Sequence, residues 1–234
     1  MSLACCIFAV IGVAGCNQKS PNPLGQVMMP VVRFSPQEDF VVQGDPEKAL
    51  GEKPPHEKNW VAPNPRPWKF IVLHHSATGR GNASEIGQAH QRRGFDELGY
   101  HFVITNGNGG DSGKVEIGSR WISQKHGAHT GGTANNEYNE VGIGICMIGD
   151  FSNRLPSKAQ LDSLEKLLRF LVWKYKIKVE NVIGHRDAPE AHTNCPGDAL
   201  HKHLLQSIRK SLLAAGKSTG SSGNRSSVDA SKLR

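Results

Sequence analysis

Residues 182–197 read V-I-G-H-R-D-A-P-E-A-H-T-N-C-P-G. Val182 and Ile183 make a short apolar strand that runs into Gly184 and then His185. A loop holding Pro189, Thr193 and Asn194 delivers Cys195, and Pro196-Gly197 stops it. An imidazole and a thiol at the two ends of one short loop can reach the same point in space. Such a pair is half of a zinc site, because Zn2+ takes His nitrogen and Cys thiolate, usually in tetrahedral geometry. A third ligand has to come from elsewhere in the chain.

Working outward, residues 69–74 read K-F-I-V-L-H, a continuous apolar run of strand length that fits a strand buried on both faces. It ends in His74-His75-Ser76-Ala77-Thr78. Neighbouring strand residues point to opposite faces, so only one of the two histidines can look into a given site, and the pattern does not choose between them. Residues 82–93 fit a helix capped by Asn82 or Ser84 and ended by Gly94, with Ile86, Ala89 and His90 inward. Residues 100–105 are a second strand. The run N-G-N-G-G-D-S-G at 106–113 is a hairpin turn returning through residues 115–117. Residues 127–139 are a polar, glycine-rich loop. Residues 141–149, V-G-I-G-I-C-M-I-G, are a buried strand whose glycines permit close approach of another backbone.

Ser157 to Gln160 fits a capping box, and the helix behind it buries Leu161, Leu164, Leu167, Leu168, Leu171 and Val172. The last helix, residues 198–214, turns Leu200, Leu204, Leu205, Ile208 and Leu212 inward. It leaves His201 and His203, two apart and on different faces, as surface histidines. Strands alternating with helices give an α/β fold: a central mixed sheet packed by about three helices.

The chain has 234 residues, a formal charge of +7 and five cysteines. The charge fits an anionic partner such as an envelope polymer; no aromatic-interleaved basic stripe favours nucleic acid. Three cysteines crowd into the first sixteen residues, so this is not a disulfide framework. Residues 3–15 form an uncharged apolar run too short to span a bilayer. The run ends V-A-G-C at Cys16, which resembles a bacterial lipobox, although no Lys or Arg precedes it. The expectation is a signal peptide over 1–16, a lipid anchor at Cys16, and a membrane-anchored lipoprotein on the periplasmic side of the envelope. Residues 17–67 hold ten of the thirteen prolines and read as an extended tether. Residues 68–216 form the folded domain, and the Ser-, Gly- and Lys-rich residues 217–234 form a disordered tail.

Five strings now stand in order: I-V-L-H-H-S-A-T, L-G-Y-H-F-V-I, G-A-H-T-G-G, V-G-I-G-I-C-M-I-G-D-F and G-H-R-D-A-P with T-N-C-P-G. Together they resemble the zinc N-acetylmuramoyl-L-alanine amidases of the type 2 class, a superfamily that includes phage amidase-lysozymes and the peptidoglycan recognition proteins. The resemblance covers about residues 68–213. It implies the recognition-protein-like amidase fold. It also implies zinc held by His74 (not His75), His185 and Cys195, with Tyr100 pointing at the metal and Thr193 two residues before the cysteine. Intracellular recycling amidases carry Glu where this chain has Cys146, which argues against that subgroup.

The implied reaction is hydrolysis of the amide between the lactyl group of N-acetylmuramic acid and L-alanine by a zinc-activated water. Tyr100 and Thr193 would donate hydrogen bonds as catalytic groups. His129, Tyr138 and Asn139 are expected on the floor of the substrate groove. The partner is peptidoglycan or a muropeptide, and the protein is expected to be a monomer. The alternatives are a non-catalytic muropeptide-binding module and a metallo-endopeptidase of the stem peptide.

Overall fold

The computed structural model describes residues 53–217. The expected signal segment, lipid-anchor cysteine Cys16, most of the tether and nearly all of the tail lie outside the described residues. The strands are β1 (Phe70–His75), β2 (Phe102–Ile104), β3 (Val115–Ile117), β4 (Gly142–Met147) and β5 (Val182–Gly184). They form one mixed sheet in the order β3-β2-β4-β1-β5, parallel except for the β2–β3 hairpin. The helices are α1 (Ala83–Arg92), the short α2 (Ser119–Ile122) and α3 (Glu137–Glu140), the long α4 (Lys158–Tyr175), then α5 (Asp198–His203) and α6 (Arg209–Lys217). A π-helical turn, Leu204–Ile208, joins the last two into one continuous C-terminal rod. Three long helical segments and a mixed five-stranded sheet match the expected α/β architecture.

Strand alternation sorts the side chains. Ile71 and Leu73 of β1, Phe102 and Ile104 of β2, and Ile143, Ile145 and Met147 of β4 join the main core. Leu164, Leu167, Leu168 and Leu171 of α4 and Leu200, Leu204, Ile208 and Leu212 of the C-terminal rod complete it. The opposite face carries a smaller cluster of Leu98, Val103, Cys146 and Ile148, with Ile86 of α1 packed on it. The α4 start is held as its sequence predicts: Ser157 accepts from the Gln160 amide while the Gln160 side chain accepts from the Ser157 amide. Gln160 then turns inward, where its Nε2 donates to the carbonyl of Ile148 at 2.9 Å. This explains why a polar side chain is buried in that helix.

Several expectations need correction. The stretch 53–67 is not all tether: Trp60 is 1% exposed and Ala62 is buried, both in the main core, and His56 stacks on Phe170. The hydrophobic surface of Trp60 is what draws this segment onto the domain. Leu205 is exposed: Leu200, Leu204, Ile208 and Leu212, four apart, form the buried stripe, and Leu205 lies one residue round the helix from it. His201 is not a free surface residue; its Nε2 lies 2.7 Å from Asp187 Oδ1, and Asp187 Oδ2 also accepts from the Gly184 amide. The close approach at the β4 glycines involves more than backbone. A Cβ on Gly142 would meet the Tyr138 carbonyl at 2.2 Å, but one on Gly144 would meet the His129 ring at 2.3 Å.

His101 straps β2 to β4 at this level. It is fully buried; its Nδ1 accepts from the Gly144 amide at 2.9 Å and its Nε2 faces the Lys125 carbonyl at 3.1 Å. Burial pushes its pKa down to about 4. Below about pH 6.5 the unfolded chain therefore takes up a proton that the folded chain refuses, so stability falls as pH drops from about 6.5 towards 4. His101 alone accounts for roughly 3 kcal/mol of that loss. Urea unfolding at pH 7, 5.5 and 4.5 should show the decline, and His101→Gln, less stable at pH 7, should show a shallower one.

Candidate metal centre

The parity of β1 decides which histidine enters the site. Leu73 points into the main core, so His74 emerges on the opposite face, where it pairs in register with Cys146. His74 is 1% exposed. His75 leaves on the other side, and its Nδ1 accepts from the Phe151 amide at 3.3 Å. Because β5 is the parallel neighbour of β1, with Leu73 opposite Gly184, the residue that follows β5 arrives beside His74. That residue is His185, whose ring centroid lies 4.6 Å from that of His74.

The loop from 185 to 195 is closed by its own bonds. The Arg186 amide donates to the Cys195 carbonyl at 2.9 Å, Arg186 Nη2 donates to the Asn194 carbonyl, and Nη1 reaches Asp198 Oδ1 at 2.6 Å. Gly197 has φ +92°, and a Cβ there would meet the backbone of Phe151 at 2.4 Å, so only glycine fits the exit from the loop. Closure brings the Cys195 sulfur to 3.6 Å from His74 Nδ1, and the His75 amide donates to the sulfur at 3.4 Å.

One ligand atom each from His74, His185 and Cys195 lies within 4.8 Å of the others. A tetrahedral zinc ion with bonds of about 2.0–2.3 Å separates its ligand atoms by roughly 3.4–3.6 Å. The set suits such an ion in donor type and number, and the 3.6 Å between the Cys195 sulfur and His74 Nδ1 matches that spacing. Burial holds both imidazoles below their ordinary pKa, His74 strongly, with the neighbouring His129 and His185 adding to it. Both rings are thus neutral near pH 7 and can offer lone pairs. Burial raises the Cys195 thiol to about 11, with the His75 amide and the Arg186 charge opposing the rise.

Tyr100 stands over His74 with ring centroids 5.0 Å apart. Burial, and then the nearby Cys146 and Cys195 sulfurs, hold its phenol well above the usual range, so it stays a protonated donor. Thr193 Oγ1 accepts from the Cys195 amide at 3.1 Å, which leaves its own hydroxyl proton free to donate.

The three residues expected on the groove floor are placed differently. His129 is buried behind His74, with its Nδ1 3.1 Å from His74 Nε2. Asn139 is also buried: its Oδ1 accepts from the amides of His129 and Thr130 at 2.7 and 2.9 Å, so it staples the glycine-rich loop. Tyr138 packs on Phe70 at 4.6 Å, at the start of β1, about 13 Å along the strand from His74. Within the polar stretch 127–139, His129, Thr130 and Asn139 turn inward and bond to one another, while residues 131–132 and 134–137 stay exposed. The glycine at 144, beside Cys146 on the same strand face, was the available signal that a bulky ring lies there.

A sequence profile of the N-acetylmuramoyl-L-alanine amidases matches residues 64–198. Peptidoglycan-recognition protein 2 of Holotrichia diomphalia is 34% identical over 149 residues, a span of 59% of this chain and 72% of that protein. Among solved structures, the N-acetylmuramoyl-L-alanine amidase LysC of Clostridium intestinale superposes with TM-score 0.51 at 26% identity, over 67% of this chain and 94% of that one. Bumblebee PGRP-SA superposes with TM-score 0.50 at 28% identity, over 64% and 92%. The profile match spans more than half of the chain and takes in all five strands and the three converging side chains, and so this chain belongs to the N-acetylmuramoyl-L-alanine amidase family.

Proposed function

We propose that this protein is a zinc-dependent amidase that cleaves the bond between the lactyl group of N-acetylmuramic acid and L-alanine in peptidoglycan or its muropeptides. The observation that carries the reading is the convergence of one ligand atom each from His74, His185 and Cys195 within 4.8 Å, beside the Tyr100 phenol. Family membership supports amide hydrolysis, and the similarity to Peptidoglycan-recognition protein 2 and to the amidase LysC supports a muropeptide substrate. The formal charge of +7 suits an anionic envelope polymer. The V-A-G-C string ending at Cys16 supports an envelope location through a lipid anchor.

His74, His185 and Cys195 would hold the ion, two neutral imidazoles and one thiolate leaving it about one positive charge. A zinc ion bound there supplies a Lewis acid and lowers the pKa of water to about 7. The protein's own groups do the rest. Tyr100, kept protonated, donates to the oxygen on which negative charge develops as the lactyl carbonyl becomes tetrahedral. The Thr193 hydroxyl, anchored through its oxygen to the Cys195 amide, offers a second donor from the loop side. The His75 amide and Arg186 stabilise negative charge on the Cys195 sulfur. Arg186 also ties the loop that carries Cys195 to Asp198.

Digestion of purified muropeptides followed by mass spectrometry tests the reading. The wild-type chain should contain zinc and release the stem peptide at the lactyl amide. A cut between stem-peptide residues would instead indicate an endopeptidase, and retention of muropeptide without any cut would indicate a binding module. Cys195→Ser should lose both the metal and the cleavage; full activity in that variant overturns the site. Tyr100→Phe should keep its zinc but lose about 100-fold in kcat, equivalent to about 3 kcal/mol in the barrier.

A further inference from the structure

His129 sits one layer behind the three converging side chains. Its Nδ1 is 3.1 Å from His74 Nε2 and 2.8 Å from Thr130 Oγ1, and its Nε2 is 3.3 Å from the Gly142 carbonyl. A carbonyl oxygen only accepts, so the ring proton of His129 belongs on Nε2. Its Nδ1 is then bare and accepts. The bond to His74 in turn requires the His74 proton on Nε2, which leaves His74 Nδ1 as the bare nitrogen. That atom is the one 3.6 Å from the Cys195 sulfur. Each ring thus donates through Nε2 and keeps Nδ1 as its acceptor.

We infer that His129 is a positioning residue: by accepting from His74 Nε2 it fixes the tautomer and rotation of His74, so that the Nδ1 lone pair faces Cys195 and His185. The inference rests on reading His74, His185 and Cys195 as metal ligands. Metal-binding histidines usually hand their second ring proton to a carboxylate, a backbone carbonyl or water. Here the acceptor is a second imidazole, whose own proton is held by the β4 backbone. The chain therefore runs from the Gly142 carbonyl through two rings to the lone pair in the site.

The seat for His129 is specific. Added Cβ atoms on Gly144 and Gly127 would each stand 2.3 Å from its Cδ2, so the ring fills the space that those two glycines leave. The backbone on either side of it is fixed, since Asn139 Oδ1 accepts from the amides of both His129 and Thr130. A ring so confined cannot turn to offer His74 a different nitrogen.

The test is zinc affinity of the full chain, measured by competition with a chelating dye, together with the visible spectrum of the cobalt-substituted protein. His129→Phe keeps a ring but no acceptor, and should bind zinc about 10- to 100-fold more weakly with shifted cobalt bands. His129→Asn places an oxygen where Nδ1 stood and should recover most of the affinity. Wild-type affinity in the Phe variant, or no recovery in the Asn variant, overturns the inference. A further measurement needs no variant: nitrogen-15 NMR of the zinc-loaded wild type should show His74 and His129 both protonated on Nε2. A His129 ring protonated on Nδ1 overturns the inference even if the Phe variant fails to fold. A wild-type chain that takes up no zinc overturns the ligand reading itself, a result distinct from a zinc-binding wild type indifferent to His129.

Discussion

Successive residues of a β-strand face opposite ways, and the candidate site depends on that constraint at one dipeptide. Leu73 is committed to the main core by the apolar surface it buries. His74 must therefore leave on the far face, and His75 must turn back towards Phe151. A slip of one residue in β1 would send Leu73 out of the core and His74 out of the site together. The hydrophobic core and the chemistry are thus set by the same register.

Parallel pairing supplies the second half of the geometry. β1 lies between β4 and β5, and all three run the same way, so their carboxyl ends open at one edge of the sheet. His74 comes from the end of the first, Cys146 lies opposite it on the second, and His185 follows the third. Only Cys195 has to be brought back, and the Arg186 bonds to the Cys195 and Asn194 carbonyls do this. The site is consequently built from strand ends and one closed loop, with three of its four nearest groups fixed by sheet register.

Behind it lies a layer of buried imidazoles that is unusual for its polarity. His74, His101 and His129 are each less than a tenth exposed, and a buried polar ring without partners is costly. Each is instead given a donor and an acceptor: His101 between Gly144 and Lys125, His129 between His74 and Gly142. Neutral rings with assigned protons behave as fixed dipoles, and fixed dipoles hold direction where a solvated histidine would not. Gly144 admits one ring and bonds another, which is why a strand otherwise rich in isoleucine interrupts itself there.

The sequence by itself determined the strands, the long helices, the hairpin turn and the alternation that makes an α/β sheet, because those depend on local periodicity and capping. It also marked His185 and Cys195 as a pair, since both lie on one short loop, and the five strings in order marked the family. What only the tertiary structure decided was everything that depends on neighbours distant in the chain. His74 and His75 are equivalent by local pattern, and only the sheet's two faces tell them apart. The loop 127–139 is polar and glycine-rich and its middle is exposed, yet His129 and Asn139 at its ends turn inward beneath the site while Tyr138 packs at the far end of β1. Trp60 likewise joins the core from a proline-rich stretch whose composition reads as unpacked chain. Local patterns specify which face of an element is apolar; they do not specify which polar groups will find each other once the elements pack.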